Sequence, residues 1–182
     1  MEQYSDKDLL ELFRNGDNRN YAFNLLVNKY QSQVYWHIRR IVIDHDDSND
    51  VVQNTFIKVL RNLESFREDS QLFTWLYRIA TNESINFLKQ KRTKFLIPFI
   101  NVEKHLYNSL TEDHYFKGDS IQRKLQKAIL TLPEKQRIVF NMKYFEGIKY
   151  EEMSKILDTS VGALKASYHI AVKKIEKNLT ID

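Results

Sequence analysis

The chain has 182 residues, 42% of them hydrophobic, and carries a formal net charge of +4 at pH 7. It contains no cysteine, which excludes disulfide bonds and thiolate metal sites and suits a reducing compartment. The amino terminus is polar, and no apolar run approaches the ~20 residues that a membrane helix requires, so we expect a cytoplasmic protein without membrane insertion. Four Gly, two Pro and the lack of evenly spaced β-branched runs favour an all-α fold.

Two helices are predicted at the start of the chain. Ser5 or Asp6 can cap the first helix, which should end near Gly16. The second helix is longer, because apolar residues keep helical spacing from Phe23 to Ile41.

An acidic run, residues 44 to 48, interrupts this spacing. A calcium loop starts with similar acids, but it needs Gly at its sixth position and Glu at its twelfth, where this chain has Asn49 and Thr55. We therefore expect no metal site. The acids instead favour the N-terminus of a third helix, from about Asn49 to Leu63, through its aligned peptide dipoles. The early turns of this helix should expose acidic and amide side chains, namely Asp47, Asp50, Gln53 and Asn54.

A fourth helix is predicted from Leu72 to about Arg92, after a polar loop at residues 65 to 71. Its first half is aromatic, and its last turns are rich in Lys and Arg. Aromatic faces beside cations are what single-stranded bases and their phosphates require. From spacing alone, a core position for Trp75 and Ile79 is an equally good interpretation.

Residues 93 to 119 lack a helical pattern and include Pro98 within an apolar stretch, FLIPFI, at residues 95 to 100. We interpret residues 95 to 119 as a linker between two small helical domains, residues 1 to 94 and residues 120 to 182. The apolar stretch is unusual for a flexible tether, so we expect it to dock on a surface.

Four short helices are predicted in the C-terminal domain. The first is capped by Asp119 or Ser120, and the second lies between Pro133 and Gly147. The last two form a predicted helix-turn-helix, which starts at Tyr150 and continues with a helix from about Val161. Three N-cap residue types separate them: Asp158, Thr159 and Ser160.

The last helix has two different faces. Its apolar stripe consists of Val161, Leu164, Tyr168, Ala171 and Ile175. The opposite face is shallow and basic, which suits entry into a DNA major groove. It carries Gly162, Ala163, Ala166, His169, Ile170 and Lys173, with Lys165 at its edge. An ordinary solvated helix of a bundle is the alternative interpretation.

Positive charge concentrates in the same part of the chain. Residues 121 to 182 hold 12 Lys and Arg against 7 Asp and Glu, whereas residues 1 to 120 hold 16 against 17. This asymmetry suggests that one half meets nucleic acid and the other also meets protein.

No pattern in the chain indicates catalysis. The five histidines are too scattered for a metal set, and no Ser/His/Asp order, HExxH motif or Gly-rich phosphate loop is present. We therefore expect a protein that is not an enzyme and uses no cofactor or metal.

Three motifs together make the chain resemble the sigma-70 family of RNA polymerase sigma factors, and in particular its short extracytoplasmic-function group. DDSNDVVQNTFIKVLRNLESF, residues 46 to 66, is similar to the family's core-polymerase-binding helix. LFTWLYRIATNESINFLKQKRTK, residues 72 to 94, is similar to its promoter-melting and minus-ten segment. LPEKQRIVFNMKYFEGIKYEEMSKIL followed by TSVGALKASYHIAVKKI is similar to its fourth conserved domain.

The resemblance implies three sets of site residues. The surface that meets the clamp helices of core RNA polymerase would be formed or supported by Asp47, Asp50, Gln53 and Phe56. The minus-ten DNA would be held by Trp75, Arg78, Asn82, Asn86, Lys89 and Arg92, with an unstacked base captured by a loop that contains Phe66, Ser70 and Gln71. The minus-thirty-five DNA would be met by the last helix, through Lys165, Ser167, His169 and Lys173. To these we add Gly162, Ala166 and Ile170 of its exposed face and Ser160 directly before the helix. An inhibitory anti-sigma factor is a further partner that the family implies.

Several positions depart from the family's usual residues. Asn54 replaces an acid, Asn86 replaces Asp and Lys89 replaces Arg. Ser167 and Ile170 stand where Arg is frequent, so bidentate recognition of guanine is not expected from them.

Two other functions are compatible with the same helices. A helix-turn-helix repressor or activator could dimerise through its N-terminal helices, and symmetric operator binding would identify it. A helical adaptor with an incidental basic face would show no salt-sensitive DNA binding.

Overall fold

The computed structural model describes residues 4–16, 18–94 and 120–180. The described residues form eight helices and no strand, as the sequence predicted. The helices are α1 Asp6–Arg14, α2 Arg19–Val42, α3 His45–Asn62, α4 Leu72–Lys94, α5 Ser120–Leu130, α6 Glu134–Tyr144, α7 Tyr150–Leu157 and α8 Val161–Thr180. The predicted linker, residues 95 to 119, lies outside the described residues. The docking expected of residues 95 to 100 therefore stays a prediction.

Helix α1 begins at a reciprocal cap. The Ser5 Oγ accepts from the Asp8 backbone N–H at 3.2 Å, and the Asp8 carboxylate accepts from the Ser5 backbone N–H at 2.8 Å. These hydrogen bonds favour the ionised carboxylate and lower the pKa of Asp8. Of the two predicted caps, Ser5 is therefore the one that is used.

Helix α3 begins one turn earlier than the sequence predicted. The predicted start was Asn49, but the helix begins at His45 because the Asp44 carboxylate accepts from the Asp47 backbone N–H at 3.0 Å. The acidic run therefore forms the cap and first turn of the helix rather than a segment before it.

The predicted boundaries of the last helices are confirmed. Gly147 has φ +65°, a left-handed conformation that suits Gly, and it lies in the turn between α6 and α7. Asp158 ends α7 with φ +48°, and the Ser160 Oγ accepts from the Ala163 backbone N–H at 3.3 Å at the start of α8.

The main hydrophobic core extends through both halves of the chain, the first formed by α1 to α4 and the second by α5 to α8. It joins buried side chains of α1 to α4 with buried side chains of α6 and α7, among them Met142, Met153 and Ile156. A second, smaller cluster joins α5, α6 and α8 around Ile129, Phe140 and Ala171. We call the packing of α2 and α4 against α6 and α7 in the main core the closed arrangement.

Among the described residues, none of the helices combines the length and apolar character needed to cross a membrane.

Candidate nucleic-acid interface

Helix α8 presents the two faces that its sequence predicted. Leu164, Ala171 and Ile175 are buried, with exposed fractions of at most 4%. The opposite side is exposed and consists of Gly162, Ala163, Lys165, Ala166, His169, Ile170 and Lys173. Ser167 is half-buried at the border between the two faces, and Ser160 forms the cap.

The fold does not require the exposed face of α8 to be shallow at Gly162. A Cβ atom added at Gly162 would meet no other atom within 4 Å, and Gly162 has no positive φ. The fold therefore tolerates a side chain at this position, and a helix propensity argument would favour one. A Gly here leaves the backbone of the first turn open to a partner.

Two cations lie beside this shallow surface. Lys173 is exposed, and the Lys165 ammonium lies 5.8 Å from the centroid of the Tyr150 ring in α7. A cation over an aromatic face is held in place yet stays accessible to an anion. The face as a whole can therefore offer donors to phosphates and apolar or small groups to base edges.

Helix α4 carries a polar stripe along its outer side. Its exposed members repeat at helical spacing: Arg78, Asn82, Asn86 and Lys89. Trp75 is half-buried at the start of the same stripe. The stripe combines an aromatic ring, two amides and two cations, a set that suits single-stranded nucleic acid.

The loop between α3 and α4 has a buried floor and an open rim. Phe66 is only 6% exposed, and its ring centroid lies 5.0 Å from that of Trp75. Ser70 is half-buried and Gln71 is exposed, and the neighbouring loop residues 67 to 69 are exposed as well. Phe66 therefore belongs to the core that supports the loop, and its ring is not presented to a ligand.

Arg14 of α1 holds this loop, and sequence reasoning missed it. Its guanidinium donates to the Phe66 carbonyl at 2.7 Å and to the Glu68 carboxylate at 2.6 Å. Glu68 has φ +62°, an uncommon conformation for a residue other than Gly, so an external contact stabilises the bend. No local pattern could predict a contact between residues more than 50 positions apart.

Arg92 lies apart from the other candidates of α4. It is half-buried, and its guanidinium donates to the Glu134 carboxylate of α6 at 2.7 Å. In the closed arrangement, Arg92 therefore joins the two halves of the chain rather than the exposed stripe.

Helix α3 presents the residues proposed to meet protein. Asp50 and Gln53 are exposed, whereas Phe56 is buried beneath them at 7% exposure. Asp47 is half-buried, and its carboxylate pairs with the Lys91 ammonium of α4. Of the four predicted residues, two are therefore exposed and two are partly or fully covered.

Ile57 is the residue of this surface that the sequence did not single out. It is 42% exposed and follows Gln53 by one helical turn. An exposed Ile beside an acid and an amide provides apolar area for a protein partner.

The residues that the structure describes contain no group of three or more His, Asp or Glu suited to a metal.

Comparison with known families gives two matches in the order that the motifs suggested. The sigma-70 region 2 family matches residues 26–94, and the "Sigma-70, region 4" family matches residues 122–175. Among curated relatives, the extracytoplasmic-function RNA polymerase sigma-E factor of Haemophilus influenzae is 34% identical over 186 residues, covering 98% of this chain and 97% of the relative. RNA polymerase sigma-H factor of Pseudomonas aeruginosa is also 34% identical, covering 97% of this chain and 95% of the relative.

Solved structures show the same fold. CnrH in complex with the cytosolic domain of CnrY has a TM-score of 0.70 at 23% identity and covers 97% of this chain and 98% of that chain. The sigma factor RpoE in complex with the anti-sigma factor NepR, from Bartonella quintana, has a TM-score of 0.67 at 19% identity and covers 88% of this chain and 98% of that chain. The chain belongs to the extracytoplasmic-function group of the sigma-70 family of RNA polymerase sigma factors.

Proposed function

We propose that this sigma factor, which directs promoter-specific transcription initiation, does so with two separate DNA-reading faces and one polymerase-binding surface. The observation that carries the proposal is the presence of an exposed polar stripe on α4 and an exposed shallow face on α8, on different halves of the chain. The protein acts as a dissociable factor in the cytoplasm and catalyses no reaction itself.

The stripe of α4 reads and opens the minus-ten element. Trp75 supplies a stacking face for an unpaired base, while Arg78 and Lys89 neutralise the phosphates of the separated strand. Ser70 and Gln71 offer hydrogen-bonding groups to a base that has left the stack. Phe66 and Arg14 contribute by holding the loop that carries them.

The exposed face of α8 reads the minus-thirty-five element in the major groove. Gly162 and Ala166 let the backbone approach the groove, and Lys173 and Lys165 meet phosphates. Ile170 offers an apolar side chain, which suits contact with a thymine methyl group.

The polymerase-binding surface lies on α3. Asp50 and Gln53 make directional contacts to a basic partner helix, and Ile57 adds apolar area. The pairing of Asp47 with Lys91 fixes α3 against α4, so the polymerase-binding surface and the minus-ten stripe keep one relative position.

An anti-sigma factor is a further partner. CnrH and RpoE, whose folds this chain shares, are bound in their solved structures to the cytosolic domain of CnrY and to the anti-sigma factor NepR, respectively. An open groove of about 340 Å³ between α2, α5 and α6 offers room for such a partner. Its lining is mixed, with four apolar or aromatic side chains and three polar ones: Trp36, Leu125, Tyr144, Phe145, Arg40, Gln122 and Gln126.

Run-off transcription with core polymerase tests the proposed function. The protein added to core polymerase should start transcripts at a defined set of genomic positions preceded by asymmetric two-part promoters. The free protein should bind the same promoters poorly in a gel shift at physiological salt, because its net charge of +4 gives little long-range attraction. Tight binding of the free protein as a dimer to symmetric operators would instead support a repressor.

A further inference from the structure

Two arginines near the start of the chain reach the loop between α3 and α4. The guanidinium of Arg14, the last residue of α1, donates to the Phe66 carbonyl at 2.7 Å and to the Glu68 carboxylate at 2.6 Å. The guanidinium of Arg19, the first residue of α2, lies 3.1 Å from the Glu64 carboxylate. The loop is therefore attached to α1 and α2 at three of its residues.

Helix α1 can serve as a firm anchor because it is itself held against α2. The Asp6 carboxylate accepts from the Tyr30 hydroxyl at 2.7 Å and from the Lys29 ammonium at 2.7 Å. Phe13 is only 2% exposed, and Arg14 follows it directly in the last turn of α1. The backbone of Arg14 is therefore fixed by the core, whereas its side chain extends to the loop.

The contacts of Arg14 support a bend that the loop does not favour by itself. Glu68 has φ +62°, a left-handed conformation that residues with a Cβ atom rarely adopt. Gly would adopt this conformation at no steric cost, but the chain has Glu at this position. A guanidinium carries several N–H donors in one fixed plane, so a single Arg can hold the carbonyl before the bend and the carboxylate at the bend together.

The bend determines where the residues proposed to capture a base lie. The Gln71 carbonyl accepts from the Trp75 backbone N–H at 3.1 Å, which fixes this end of the loop to the start of α4. Ser70 lies between that fixed end and the bend at Glu68, so its position depends on both. Hydrogen bonds require donor and acceptor to be placed within a few tenths of an ångström, and a base preference built on them depends on the same placement.

We propose that Arg14 is a positioning residue for minus-ten recognition, which fixes the bend at Glu68 and thereby sets the base preference of the loop. The inference rests on the proposed capture of an unpaired base by Ser70 and Gln71. It adds α1, which lies before residues 26–94 of the region 2 match, to the part of the chain that reads the minus-ten element. In this role Arg14 acts through the loop and makes no contact with DNA itself.

Selection of single-stranded DNA by the polymerase holoenzyme tests this role. The probe is a single-stranded minus-ten oligonucleotide with randomised bases, so duplex melting does not contribute to the result. The position at which changing Ser70 and Gln71 to Ala lowers the base preference marks the captured base. At that position, Arg14→Ala should lower the preference roughly 3- to 10-fold, as expected for lost hydrogen bonds that hold the bend, and preferences at the other positions should stay unchanged.

Three further variants separate the bend from other effects of Arg14. The matched control is Lys7→Ala, which removes a positive charge from an exposed position of α1 and should change no preference. Glu68→Val should give the same loss as Arg14→Ala, because a β-branched residue opposes the left-handed conformation, and it tests the inference even if Arg14→Ala fails to fold. Adding Glu68→Gly to Arg14→Ala should restore the preference, because Gly adopts the bend without support.

The possible outcomes distinguish this inference from the proposed function. An unchanged preference in folded Arg14→Ala or Glu68→Val would overturn the inference and leave base capture by the loop intact. An equal loss of preference at every position, or no recovery with Glu68→Gly, would also overturn it, because Arg14 would then support the fold in general or contact DNA directly. A preference that is nowhere sensitive to Ser70 and Gln71 would instead contradict base capture by the loop, and the inference would fail with it.

Discussion

The substitution Ile170→Arg changes the proposed base-reading face at one position. Ile170 is 44% exposed on α8, so a longer side chain at this position disturbs no buried contact. Exposed substitutions of this kind change the free energy of unfolding by roughly 0.5 kcal/mol or less. A change in DNA preference larger than that can therefore be assigned to the interface.

The expected change is a shift from A·T toward G·C at one step of the minus-thirty-five element. The wild-type Ile favours the thymine methyl group, whereas an Arg can donate two hydrogen bonds to guanine. One well-formed bidentate contact discriminates by ~1 to 3 kcal/mol, which corresponds to roughly 5- to 150-fold in relative affinity.

Selection of randomised upstream sequences by the polymerase holoenzyme measures this shift. The matched control is Leu179→Arg, which adds the same charge to another exposed apolar residue of α8 at 40% exposure. The two residues are nine positions apart, so they point to opposite sides of the helix. Identical preferences in wild type and Ile170→Arg, or an equal shift in Leu179→Arg, would refute the assignment of the reading face.

The remaining predictions test the other surfaces. Changing Asp50 and Gln53 together to Lys should weaken binding to core polymerase by charge repulsion while circular dichroism stays unchanged; undiminished co-purification with polymerase would contradict the α3 surface. Changing Ser70 and Gln71 to Ala should reduce transcription from duplex DNA more than from a template mismatched at the minus-ten element, because the mismatch supplies the unstacking free energy; equal losses would assign them a purely structural role. Lys173→Ala should weaken all promoters alike and reduce the slope of log affinity against log salt by about one, and a sequence-dependent loss would argue against phosphate contact.

Helix positions could be predicted from the sequence where local signals agree. The Ser5 cap and the start of α8 at Val161 follow from short-range pairing of side-chain oxygens with free backbone N–H groups. Helical periodicity also places Leu164 on the buried face of α8 and Ile170 on the exposed face. The predicted start of α3 was wrong by one turn. Several residues in this run can cap a helix, and the one that does so is Asp44.

Contacts between distant parts of the chain could not be predicted in this way. The His37 Nδ1 lies 3.0 Å from the Glu146 carboxylate although the two residues are 109 positions apart, and nothing in the spacing of the five histidines distinguishes His37 from the others. The loop contact of Arg14 is hidden for the same reason. The division of the chain at residues 94 and 120 stays a prediction, as do the individual DNA-contacting and polymerase-contacting residues.

The central claim, that two faces of this chain meet two elements of one promoter, is tested most directly by mapping DNA cleavage from single tethered iron chelates. Because the chain lacks cysteine, Asn86→Cys places a chelate on the α4 stripe and His169→Cys places one on the α8 face. In the polymerase holoenzyme, the first should cut near the minus-ten element and the second only near the minus-thirty-five element. Cuts from both positions at one shared location, or symmetric cuts about a two-fold axis, would contradict the account.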